Sequence, residues 1–268
     1  MRCFQVNAFT SRPFAGNPAA VCLVDRVRED AWLQAVAAEM NLSETAYVRP
    51  LEQGYELRWF TPAVEVDLCG HATLAAAHTL WEAGIAPLDQ TIEFDTRSGR
   101  LTAARRGDQI ELDFPATPPA AADPPAGLLA ALGAAPTFVG KSRFDYFLVL
   151  QSAAEVRALQ PDFGRLAAID VRGIIVTSAS DDPRFDFISR FFAPGAGINE
   201  DPVTGSAHCC LAPFWESQLG RPAMTGYQAS ARGGVVRVQV AGDRVILGGQ
   251  GVTIWRGALT DATLGARS

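Results

Sequence analysis

One stretch of this chain is written twice, and that repetition limits what it can fold into more than any other feature. Arg58-Trp-Phe-Thr-Pro62 returns as Arg190-Phe-Phe-Ala-Pro194, and Glu65-Val-Asp-Leu-Cys-Gly-His-Ala72 returns as Glu200-Asp-Pro-Val-Thr-Gly-Ser-Ala207. The offset is 132 for the first pair (190 minus 58) and 135 for the second (205 minus 70), so three extra residues in the second loop account for the difference. In this alignment Glu65 meets Glu200, Cys69 meets Thr204, Gly70 meets Gly205 and His71 meets Ser206. Self-similarity at one fixed spacing implies two copies of a strand-loop-helix unit, here facing each other across a pseudo-twofold axis.

Each copy runs from its glycine into an apolar stretch. After Gly70, the residues Ala72, Leu74, Ala75, Ala76, Ala77 and Leu80 leave little polar surface before Glu82. A helix that is apolar nearly all round belongs at the centre of its domain. The second runs through Ala207, Cys209, Cys210, Leu211, Ala212, Phe214 and Trp215, with Pro213 expected to kink it. Gly70-His71 and Gly205-Ser206 then fall at the N-termini of two central helices. There, free backbone N–H groups and the positive dipole end favour an anion. Two such ends converging on one cleft would grip a carboxylate, with the glycines allowing close backbone approach.

Elsewhere the pattern is of short strands and few helices. Tyr55, Leu57 and Trp59 alternate with Glu56, Arg58 and Phe60 as in a half-buried strand. Residues 235–240 and 245–247 read similarly across the turn at 241–243, and Trp32, Leu33, Val36, Ala37 and Met40 keep helical spacing. Residues 115–125 carry five prolines and no periodicity, and read as the linker that divides the chain roughly in half. The expected domains are therefore 1–117 and 118–268, with the last strand free to pack back on the first.

At 268 residues and 48% apolar content the chain can bury a large core. Its net charge of -6 argues against non-specific nucleic-acid or anionic-membrane binding. No apolar run reaches membrane-spanning length. Five cysteines, an odd number without CxxC spacing, fit reduced thiols in the cytoplasm better than a disulfide framework. A metal site from Cys69, His71, His208, Cys209 and Cys210 is not expected, because no spacing among them is a recognised chelating pair. Gly140-Lys141-Ser142 mimics the end of a phosphate loop, but Ala135 stands where that loop needs glycine.

Four motifs carry a family resemblance: Phe9-Thr-Ser-Arg-Pro-Phe-Ala-Gly-Asn-Pro-Ala-Ala-Val21, Asn41-Leu-Ser-Glu-Thr-Ala-Tyr-Val48, Cys69-Gly-His-Ala-Thr73 and Glu200-Asp-Pro-Val-Thr-Gly-Ser-Ala207. Together they resemble the PhzF-like phenazine-biosynthesis family, in the family's order and over essentially the whole chain. The resemblance implies a diaminopimelate-epimerase-like α/β (α+β) fold. Its two similar domains would each wrap a sheet around a central helix, with the active site between them and frequent dimerisation. It implies a cofactor-free, metal-free isomerase acting by proton transfer. The family's general acid/base glutamate would be Glu44, and its cleft aspartate, histidine and serine would be Asp201, His71 and Ser206.

The chemistry of the residues agrees. Moving a proton between carbons without a cofactor needs a carboxyl that takes it at one site and returns it at another. Glu44 is expected to have its pKa raised by desolvation toward the working range. Read without the resemblance, Ser43 and Glu44 are polar turn residues after a helix, and Asp201 braces a loop or caps a helix. Glu200 is expected to be structural, since its counterpart Glu65 would hold the same loop. His71 and Ser206, at equivalent positions, are expected to share work at the helix ends, with Gly70 and Gly205 binding the substrate's carboxylate. His208 could line the cleft or serve the helix. Two rivals stay open. One is an amino-acid racemase using Cys69, although its counterpart Thr204 cannot act as a second thiolate. The other is a non-catalytic binder of small carboxylates.

Overall fold

The computed structural model describes residues 1–260; the tail of the second half as read from sequence, residues 261–268, lies outside the described residues. The chain separates into two compact units, Met1–Asp113 with the stretch from Gly248, and Phe114–Leu247.

In the first unit the strands are β1 (Arg2–Ala8), β2 (Asn17–Leu23), β3 (Glu44–Pro50), β4 (Tyr55–Phe60), β5 (Glu65–Val66), β6 (Ile92–Thr96), β7 (Gly99–Arg106) and β8 (Gln109–Pro115). The helices are α1 (Asp30–Met40) and α2 (Gly70–Glu82). Pairing is antiparallel for β1–β2, parallel for β2–β3, antiparallel for β3–β4, parallel for β4–β6 and antiparallel for β6–β7. The sheet wraps α2, which packs on β1, β2 and β3. Its residues from His71 to Ala77 and from Thr79 to Trp81 are buried, as a helix apolar on every side requires. Helix α1 keeps the expected narrow stripe, burying Leu33, Val36 and Ala37.

The second unit contains β9 (Ala120–Ala121), α3 (Leu128–Leu132), β10 (Phe138–Lys141), β11 (Asp145–Val149), α4 (Ala153–Ala158), α5 (Phe163–Ala167), β12 (Gly173–Ala179) and β13 (Phe187–Phe192). It continues with α6 (Gly205–Leu219), β14 (Ala223–Gln228), β15 (Gly234–Ala241) and β16 (Arg244–Gly249). From β10 to β15 the pairings again run antiparallel, parallel, antiparallel, parallel, antiparallel. The repeat heard in the sequence is thus a repeat of strand order. Pro213 lies inside α6, whose flanking residues Ala212 and Trp215 remain buried.

One detail departs from the sequence reading. The proline-rich stretch is not wholly irregular, because Ala120 and Ala121 form a short strand on Lys141 and Gly140. Strand β17 (Gly251–Ala258) belongs to the first unit, where it pairs antiparallel with β1.

The echoed arginines and glutamates explain each other. Arg58 grips Glu65 with two bonds of 2.8 and 2.7 Å, and Arg190 grips Glu200 with two of 2.7 and 2.9 Å. A planar fork matched to a carboxylate ties the end of β4 or β13 to the loop that leads into the central helix. Glu65 and Glu200 are therefore structural.

Candidate active site

Two strands and one helix bring together the polar cluster of the first unit. Asn17 opens β2, Glu44 opens β3, and His71 stands on the first turn of α2 after Cys69. The parallel register sets Glu44 opposite Ala19, so two strand starts face the helix head. Glu44 Oε2 lies 3.1 Å from His71 Nε2, with side-chain exposures of only 14% and 6%. The distance is that of a hydrogen bond although its angle is not, so the contact is best described as a close ion pair. On the other side of the ring, His71 Nδ1 has Asn17 Nδ2 at 3.1 Å and Cys69 Sγ at 3.5 Å. Ser43 Oγ lies 3.4 Å from Nε2 and reaches Asn17 Oδ1 at 3.2 Å.

This geometry reverses the expected electrostatics of Glu44. Burial does favour the neutral acid. The charge of His71 outweighs it, together with the polar groups of His71, Ser43 and Cys69 near the carboxyl, and holds the carboxyl below its ordinary value. His71 is likewise penalised by burial, yet its acidic surroundings raise it well above an ordinary imidazole. Burial and the nearby Glu44 charge raise the Cys69 thiol, which keeps it protonated and leaves Glu44 as the anion facing His71. A carboxyl shifted down and an imidazole shifted up thus lie in contact, the directions expected of a base beside an acid.

Among the described residues, Glu44, Cys69 and His71 are also the one group offering three metal-ligand atoms within 4.8 Å. Glu44 approaches Nε2 whereas Cys69 approaches Nδ1, so a single ion could not use both short contacts to the ring.

The corresponding place in the second unit is built differently. Asp201 sits just before α6, accepts a short hydrogen bond from Thr204 Oγ1, and has its backbone oxygen bonded by Gln228 Nε2 at 2.7 Å. Gln228 also accepts from Thr204 N at 2.9 Å, so the loop before the helix is pinned by one buried amide. Gly205 begins α6 and Ser206 follows it, as Gly70 and His71 do in α2. Ser206 Oγ accepts from Arg172 Nη2 at 3.1 Å, and Arg172 forms a two-pronged pair with buried Asp145. His208 is fully buried with Nδ1 2.9 Å from Thr204 O, and burial pushes it down to about 4, so it is neutral and serves the helix. His78 reaches Thr253 Oγ1 at 3.1 Å within the first unit.

Sequence reasoning did not single out Asn17, Ser43, Asp145 or Arg172 as site residues. A third echo pointed to two of them. Ser11-Arg12-Pro13-Phe14 precedes Asn17, and Ser142-Arg143-Phe144 precedes Asp145; the serines are offset by 131 (142 minus 11) and the two site residues by 128 (145 minus 17), the first copy being three residues longer.

With the geometry in hand, kinship can be read. The pairing order and the central helices are those of a diaminopimelate-epimerase-like fold. A probable proline racemase from Agrobacterium radiobacter shares that fold at 11% identity, with a TM-score of 0.63 over 97% of this chain and 93% of its own. The family model described as Phenazine biosynthesis-like protein matches residues 6–257, and the chain belongs to this PhzF family. It is 53% identical over 257 residues to an uncharacterized isomerase of Halalkalibacterium halodurans, covering 96% of this chain and 97% of that one. A crystal structure of a PhzF-family protein from Enterococcus faecalis matches with a TM-score of 0.91 at 40% identity, over 96% of this chain and 97% of the other. The chain is an isomerase. Among the described residues no helix is long and apolar enough to cross a membrane.

Proposed function

We propose that this isomerase works without a cofactor, moving a proton between carbons of a small carboxylate-bearing metabolite, with Glu44 as the general acid/base. The observation that carries the reading is the buried contact of 3.1 Å between Glu44 Oε2 and His71 Nε2. The lowered pKa keeps Glu44 ionised and so ready to accept a proton, and burial keeps competing water away from it. Glu44 takes a proton from an acidic C–H, the electron pair moves into the conjugated system of the substrate, and the proton is returned at another carbon. His71 stabilises the negative charge that develops, and returning the proton leaves Glu44 a carboxylate again for the next turn. Asp201 is the second acid/base carboxylate of the reading, a role taken from its motif. Gly70 and His71 at the head of α2, and Gly205 and Ser206 at the head of α6, are the substrate-binding residues of the reading, each pair offered by its own unit.

The test is solvent exchange. Wild-type protein incubated in D2O with a panel of small carboxylates should place deuterium in whichever compound it isomerises, read by proton NMR and mass. Glu44→Gln should largely abolish that incorporation. Equal exchange by wild type and Glu44→Gln would remove Glu44 from the chemistry.

The contact of 3.5 Å between Cys69 Sγ and His71 Nδ1 supports one second reading, in which the thiol is the base. Burial keeps that thiol protonated, and Thr204 occupies the equivalent position in the other unit, so no opposing thiolate is supplied. Cys69→Ser should therefore leave deuterium incorporation intact.

A further inference from the structure

We propose that Arg172 and Ser206 form a carboxylate-binding subsite in the second unit, with Arg172 as its principal cation. The proposal rests on the reading that the substrate is a small carboxylate and names the side chains that would hold that group.

Register places Arg172 where it matters. Thr45 pairs with Phe60 and Ile174 with Phe192. The echoed segments equate Phe60 with Phe192, so Glu44 corresponds to Gly173 and Ser43 to Arg172. In the first unit the residue before the acid touches His71; in the second its counterpart touches Ser206. The two contacts are the same contact in the repeat, carried by different chemistry.

The guanidinium is fixed on several sides. Its Nε donates to Asp145 Oδ1 at 2.8 Å and its Nη2 to Oδ2, while its centre lies 4.9 Å from the Phe144 ring and 5.9 Å from the Phe191 ring. Asp145 is buried, with 2% of its side chain exposed, whereas Arg172 keeps 42%. The anion lies beneath and the cation faces outward. Asp145 uses the Nε–Nη2 edge of the fork, so both hydrogens of Nη1 are without a partner among the described residues. Ser206 Oγ accepts from Nη2, which leaves its own hydrogen to donate. One outward Nη1–H beside the Ser206 hydroxyl donor offers a donor to each of the two oxygens of a planar carboxylate. If Arg172 served only to neutralise Asp145, neither the exposed edge nor the bond to Ser206 would be needed.

Benzoate is the probe, titrated into the full chain and followed by amide shifts of Gly205 and Ser206, with inorganic sulfate as the second arm. Arg172→Lys keeps the charge beside Asp145 but loses the fork, and should weaken benzoate by about tenfold or more, the scale of one charge-assisted hydrogen bond. The double variant R172Q/D145N removes both charges, so that no buried carboxylate is left alone, and should lose binding. Ser206→Ala should weaken binding less. Glu44→Gln should bind benzoate as wild type does, so failure of the catalytic reading and failure of this subsite give different patterns. The proposal is overturned if benzoate does not shift Gly205 and Ser206, if R172K and R172Q/D145N bind like wild type, or if sulfate binds and benzoate does not.

Discussion

The two units share one order of strands and one helix start, yet their polar clusters are opposites. At the head of α2 the first unit places a carboxylate against an imidazole; at the head of α6 the second places a guanidinium against a hydroxyl. The difference is enforced by packing. At Gly173, the counterpart of Glu44, an added Cβ would come within 2.2 Å of the Phe191 ring and 3.0 Å of Asp145 Oδ1. The second unit has filled with an aromatic ring the space that the first gives to its acid. Two equal frames thus carry different polar clusters, a buried carboxylate against an imidazole in one and a guanidinium against a hydroxyl in the other.

The largest effect expected from breaking this contrast is catalytic. Glu44→Gln should reduce kcat by at least ~10²-fold, the lower bound for a positioned general acid/base. Single-turnover rates compared with benzoate affinity would show whether the loss lies in chemistry; an equal loss of binding would mean that the units do not divide the work.

Stability should also be unequal between the echoed arginines. Glu200 is held by Arg190, which additionally bonds the backbone oxygens of Val156, Arg157 and Leu159, whereas Glu65 has a second cation in Arg97 at 2.7 Å. Arg190→Ala leaves a largely buried carboxylate without its cation and should cost about 3–5 kcal/mol. Arg58→Ala should cost less, because Arg97 remains. Denaturant midpoints settle the order, and equal losses would refute the argument.

The Glu44–His71 pair should stabilise the fold only within a pH window. Glu44 is depressed below its ordinary 4.5, so its contribution is present above that value and is lost as pH falls through the folded pKa. His71 is raised above its ordinary 6.5, so its contribution is full below that value and is lost as pH rises through the folded pKa. The stability gap between wild type and His71→Gln should therefore be widest from pH 4.5 to 6.5 and narrow on both sides. A gap that grows steadily with pH would place the charges the other way round.

The smallest of these effects probes the filled space itself. Gly173→Ala should lower stability by about 1–3 kcal/mol through overpacking on Phe191. A neutral result in thermal unfolding would mean that this ring can yield and that the second unit could have kept an acid.

Much of this arrangement was legible in advance. Gly70 and Gly205 were readable as helix starts because each is followed by a largely apolar run, and the duplicated Arg-Glu pairs announced the repeat. Glu44 stood out through its motif. Its charge state did not, because that depends on His71, which reaches it only when β3 is laid beside α2. The pairing of Arg172 with Asp145 was invisible for a similar reason. They lie 27 residues apart and meet through the parallel register that sets Asp145 beside Gly173, a long-range fact that no local pattern encodes.

One feature of the chain's path also bears on how the protein is made. β1 has β2 on one side and β17 on the other, and β17 begins only at Gly251. A ribosome working from the N-terminus has therefore translated the whole second unit before the last neighbour of β1 exists. Until then β1 presents an open row of backbone donors and acceptors, the kind of edge on which nascent chains stick to one another. The unit that begins first is the one completed last, and β1 is the strand that waits longest for its partner.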